Sequence, residues 1–100
     1  MAGSMIYIDP DAASADISKL SAAISRLEEA QSSIRQLNTQ AGTMTGQTGQ
    51  AIQEKCTVLS GQLDALKENL NYTIRLIRSA VREYQEKDSQ YAGAIRNGGV

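Results

Sequence analysis

Four residues near the carboxy terminus are the ones whose types and spacing could do chemistry: Tyr84, Asp88, Tyr91 and Ile95. Intervals of four, three and four put all of them on one helical face. A carboxylate among two aromatics and an aliphatic residue is costly to bury. Such a group suits being read by a partner rather than filling a core. The plainer alternative is a helix end whose apolar stripe frays, with Asp88 simply solvated.

Covalent and acid–base chemistry finds little to work with. The chain has 100 residues and no His, Trp or Phe, with a single Cys. Without His, a Ser-His-Asp or Cys-His arrangement cannot be built, and the commonest metal ligand is missing. One Cys gives neither an internal disulfide nor a Cys-rich metal cage. The carboxylates fall mostly on polar helix faces, and nothing pairs them across a pocket for general acid–base work. The expectation is a protein that is not an enzyme and needs no cofactor or metal.

Charge and hydropathy remove further classes. A net charge of −1 argues against nucleic acid as a partner, because phosphate binding needs a basic surface. Arg75, Arg78 and Arg82 make a short basic ridge, which Glu68, Glu83 and Glu86 offset, so it reads as a solvated helix face. No apolar run approaches the ~20 residues of a membrane span. No cleavable signal peptide is visible at the amino terminus. Residues 1–4, Met-Ala-Gly-Ser before a second Met5, read as a cloning scar, and 5–96 as one domain of a size that 41% apolar content can support.

The elements that must position the four residues are two helices and a turn. Asp9 suits an N-cap, Pro10 the first helical position and Asp11 the positive end of the helix dipole. The first helix is expected over about 10–41. Ile17, Leu20, Ile24, Leu27 and Ile34 keep a heptad rhythm in it, Gln31 occupies one core slot, and Leu37, Ala41 and Met44 resume the stripe one residue early. Residues 42–49, GTMTGQTG, read as a turn, with Gly42 beyond the helix end and Thr45 or Thr48 capping the next helix. The second helix is expected over about 49–92. Ile52, Cys56, Leu59, Leu63, Leu66, Leu70, Ile77 and Tyr84 form its stripe, and Ile74 and Val81 widen it. Gly93 weakens it, and 97–100 read as a flexible tail. Cys56 lies on the stripe and reads as a buried, inert thiol. Asn71-Tyr72-Thr73 matches a glycosylation sequon, but mid-helix placement makes that accidental.

The short connection predicts an all-α antiparallel hairpin. At ~1.5 Å per residue the second helix outruns the first, so Tyr84, Asp88, Tyr91 and Ile95 fall on an overhang. The stripes are wider than one hairpin seam can cover, and Val58, Tyr72 and Leu76 lie off them. A monomer would expose a large apolar patch. Two hairpins packed into a four-helix bundle would cover it. Stripe width does not say whether the second hairpin is identical.

An Asp-Pro start, two helices, a glycine-bearing turn at mid-chain and a carboxy-terminal Y-x-x-x-D make a recognisable pattern. Over residues 5–96 the chain resembles the WXG superfamily, the ESAT-like substrates and partners of type VII secretion systems in Gram-positive bacteria. The resemblance makes Tyr84 and Asp88 the export signal, and Tyr91 and Ile95 its extension three and seven positions past the acid. The family's Trp-x-Gly turn is absent, and Met44-Thr45-Gly46 is its best positional substitute. That departure is more similar to the divergent small helical proteins encoded with LXG-type polymorphic toxins. The resemblance implies a helical protein partner: the toxin's amino-terminal domain, a paralogue or the chain itself. It also implies presentation of the signal to the type VII secretion ATPase. It implies synthesis in the cytoplasm and secretion without a cleavable signal peptide. A self-sufficient homodimeric secreted substrate and a non-secreted helical-bundle adaptor are the other readings.

Overall fold

The computed structural model describes residues 8–98, with side chains through Gln90. Two helices make the fold: α1, Pro10–Gly42, and α2, Gln47–Gly98. They pack as an antiparallel hairpin measuring 81 × 23 × 16 Å, and no strand is present among the described residues.

α1 starts where capping chemistry places it. Asp9 is extended (φ −84°, ψ 110°), and its carboxylate accepts the backbone N–H of Asp11 at 2.9 Å. Pro10 takes the first position, where a missing N–H costs nothing. At the other end Gly42 stays helical, one residue past the expected end of α1, and the cap falls on Thr43. Thr43 closes the last turn with its own side chain, its Oγ1 donating to the Gln40 carbonyl at 2.7 Å. The helix therefore ends without a left-handed glycine at Gly42.

The left-handed residue is Gly46, at φ 92°. It reverses the chain one residue before α2 begins, so α2 starts at Gln47 rather than at 49. Gly49 is needed for a different reason, since a Cβ there would stand 2.7 Å from the Ala41 carbonyl oxygen. That close approach brings the two helices together beside the turn. At the far end α2 passes through Gly93 and on to Gly98, beyond the expected end near Ala92 and into the tail expected over 97–100. Gly costs a helix only about 1 kcal/mol against Ala, and no Pro follows to stop it.

Writing the heptad as abcdefg, the a and d positions of α1 are Pro10, Ala13, Ile17, Leu20, Ile24, Leu27, Gln31, Ile34, Asn38 and Ala41, and every one of them is at least partly buried. Asn38 thus fills the slot for which Leu37 was expected, while Leu37 stays 47% exposed and Met44 lies in the turn at 48%. In α2 the corresponding line is Gly49, Gln53, Cys56, Ser60, Leu63, Lys67, Leu70, Ile74, Ile77, Val81 and Tyr84. Leu59 and Leu66 are displaced from the seam to its flank, 46% and 45% exposed. Two rhythms compete in α2, sharing Cys56, Leu63, Leu70, Ile77 and Tyr84. One adds Leu59 and Leu66, the other Ser60, Lys67, Ile74 and Val81. α1 follows the second, held at the open end by Ile74 and Val81 and at mid-seam by polar contacts.

Those polar contacts form a layer around Gln31. Its amide donates to Asp64 Oδ1 at 2.7 Å and to the Ser60 carbonyl at 3.3 Å. Lys67 Nζ stands 3.8 Å from Asp64 Oδ1 and 4.0 Å from Glu28 Oε2. Nearer the turn, Gln53 Nε2 donates to the Asn38 carbonyl at 3.4 Å. No buried side-chain N or O among the described residues lacks a partner. Such layers fix the register of a helical pair at some expense of stability.

Candidate partner-binding surface

The register decides where the expected export residues lie. Val81 and Tyr84 are the last α2 residues that α1 covers, since Pro10, where α1 begins, shares a groove with Arg82 and Gln85. Beyond them the a and d line of α2 continues as Asp88, Tyr91 and Ile95. The sequence motif is therefore the seam itself, prolonged past the end of its partner helix. Tyr84 is half-buried and Asp88 is exposed. The helical backbone carries Tyr91 and Ile95 on the same line, and their side chains lie outside the described residues.

The hairpin does not close its own core. Only Ala41, Cys56 and Ile74 are buried apolar residues among those described. Ile17, Leu20, Ile24, Leu27, Ile34, Leu63, Leu70 and Ile77 all lie in the seam, yet each remains partly exposed. A core residue of a globular domain touches neighbours on every side. Here two helices enclose the seam from only two directions.

The two broad sides of the hairpin differ in chemistry. In an antiparallel pair the e positions of both helices share one side and the g positions the other. Ser14, Arg78 and Gln85, all e residues, line one open groove of about 410 Å³, and Glu28 and Asp64, also e residues, flank Lys67. That side is polar. The opposite side carries Ala23, Ala30 and Leu37 from α1 and Ile52, Leu59 and Leu66 from α2. Sequence reasoning places Leu59 and Leu66 on the α2 stripe that packs against helix or partner, without dividing flank from seam. The information that separates flank from seam is the position of α1, which one helix's periodicity does not contain.

Other features carry less. Met44 and Gly46 sit in the turn, at the opposite end of the hairpin from Tyr84 and Asp88, so one chain does not bring the two sites together. A third apolar set, Val58, Tyr72 and Leu76, faces solvent at 51–56% exposure, with Arg75 lying 6.0 Å over the Tyr72 ring. Cys56 is buried, as its place on the stripe suggested. Among the described residues no cluster of His, Cys, Asp or Glu could hold a metal, and no helix is long and apolar enough to cross a membrane. Comparison with protein-family models, curated proteins and solved structures finds no match.

Proposed function

We propose that this chain is a small helical export partner of a type VII secretion system. It pairs through its apolar stripes with a helical partner, either an LXG-type toxin's amino-terminal domain, a paralogue or itself, into a four-helix bundle. It presents Tyr84 and Asp88 to the secretion ATPase, with Tyr91 and Ile95 extending the signal. Its role is binding and targeting without catalysis, and it is made in the cytoplasm and then secreted. The observation that carries this reading is the seam line running past the end of α1. Tyr84 is anchored in the last covered turn, and Asp88 is displayed on the turn beyond, where a receptor can reach it.

The free energy of pairing comes from apolar burial, at about 25 cal/mol per Å² before the costs of association. Recognition at Asp88 is local and charge-assisted. Asp88→Asn is therefore expected to abolish appearance of the chain in the culture medium while leaving its helicity and partner capture unchanged. Undiminished export of the variant would reduce Tyr84 and Asp88 to a helix end and favour the non-secreted adaptor.

A further inference from the structure

We propose that the groove at the open end of the polar side is a binding site for an acidic segment of a partner protein. Aliphatic side chains of that segment fill the floor, and its carboxylates engage Arg78 and Arg82. This goes beyond the export reading and does not depend on it.

The groove is built in two tiers. Pro10, Ala13 and Ile17 of α1 and Val81 of α2, all partly buried, form an apolar floor. Ser14, Arg78, Arg82 and Gln85 are exposed and form the rim. The short side chains of Pro10 and Ala13 leave the seam open against Val81, and a trough of about 410 Å³ results. That volume stands at the lower end of the roughly 300–1,000 Å³ of ligand sites.

The charge of the rim is uncompensated within the chain. Arg78 has Arg75 three residues before it and Arg82 four residues after it, and like charges at such intervals destabilise a helix. Its other neighbours one turn away are Ile74 and Val81, so no acid stands beside it along the helix. Glu68, Glu83 and Glu86, which the sequence sets against this ridge, form no ion pair with it. The two ion pairs among the described residues both belong to Lys67. No carboxylate lines the groove. Asp9 and Asp11 serve the start of α1 instead, where the Asp9 carboxylate accepts the Asp11 N–H and Asp11 complements the helix dipole.

Charge and apolar surface together select the occupant. A guanidinium is a planar fork that takes a carboxylate through two parallel N–H donors. Arg78 and Arg82 stand one helical turn apart, about 5–6 Å between Cβ atoms, so they receive two carboxylates at that interval or grip one from both sides. The Ser14 hydroxyl and the Gln85 amide add neutral donors for the carbonyl oxygens of a peptide backbone. A free inorganic anion has no surface to bury on the floor. A peptide that carries leucine or valine beside its acids uses both tiers.

The test is an NMR titration of the isotope-labelled full-length chain with the capped peptide acetyl-E-L-A-A-E-L-amide. Saturating shifts are expected at the amides of residues 10–17 and 78–85, which border the groove. The expected Kd is about 1 mM or tighter. Acetyl-Q-L-A-A-Q-L-amide and inorganic phosphate should each bind at least tenfold more weakly. The double variant Arg78→Gln, Arg82→Gln keeps good helix formers in place. It should lose at least tenfold in affinity for the acidic peptide, with unchanged circular dichroism. Arg75→Gln, on the same ridge but outside the groove, should leave the affinity as it was. Absence of shifts at the groove, or equal binding of the glutamine peptide, would overturn the proposal. Phosphate binding as tight as the peptide would overturn it in favour of a bare anion site. These readouts involve no export, so they can fail while the Asp88 experiment succeeds, or the converse.

Discussion

Replacing Gln31 by Leu should stabilise the hairpin. Gln31 is 4% exposed, the only buried polar side chain among the described residues. Its strong contact is the 2.7 Å bond to Asp64 Oδ1. A hydrogen bond to a charged group contributes about 1.5–3 kcal/mol when its loss strands the partner. Asp64 would not be stranded, because its side chain is 64% exposed and water takes the amide's place. The loss is therefore nearer 1 kcal/mol by the general range for such bonds. Leu at a buried a position gains about 1.5–3 kcal/mol from burial. The balance is a stabilisation of about 1 kcal/mol, or roughly 4–8 °C in Tm for a chain of this size. Gln31→Ala loses the bond and leaves a cavity, so it should cost about 2 kcal/mol. Thermal and urea melts followed by circular dichroism, all at one chain concentration, read both changes. If Gln31→Leu proves less stable than the parent by 1 kcal/mol or more, the polar layer is a net source of stability and the reasoning fails.

The two turn glycines should respond differently to the same substitution. Gly46→Ala has open space around the new methyl but keeps φ at 92°, so it should cost about 1–2 kcal/mol from the backbone alone. Gly49→Ala drives a methyl to 2.7 Å from the Ala41 carbonyl oxygen and 3.0 Å from that of Met44, so the helices must separate beside the turn. Its cost should reach the upper part of the roughly 1–3 kcal/mol range for overpacking and exceed that of Gly46→Ala in a urea melt. Cys56, at 3% exposure, should react with a maleimide dye far more slowly in native buffer than in denaturant. Equal rates in the two would mean that the seam opens freely at mid-helix.

Much of the hairpin is legible in the chain because its signals are local. Asp9-Pro10-Asp11 fixes one helix start, and GTMTGQTG leaves room for one turn. The register of α2 is not local. Leu59 and Leu66 outrank Ser60 and Lys67 on hydrophobicity, so periodicity draws the seam through them. The covering helix corrects it, together with Gln31, whose partners lie 29 and 33 residues away. Leu37 and Asn38 repeat the same exchange on α1. The far end of α2 departs from expectation for another reason: Gly93 lowers helix propensity without stopping a helix that has good formers on both sides. The motif at Tyr84 and Asp88 is visible as a spacing, but its continuity with the seam emerges only once α1 is seen to end.

The turn also gives this molecule a direction in time. The tertiary contacts nearest in sequence, Gly49 against Ala41 and Gln53 against Asn38, each close a short loop. Closing a loop costs less entropy the shorter it is, and chains rich in local contacts fold fast. Each pair of a and d residues that engages brings the next within reach, so the hairpin is expected to zip from Gly46 towards Pro10. Opening runs the same track backwards. Amide exchange should therefore be slowest beside the turn and quicken towards Tyr84, where the last clasped turn is also the first to be released.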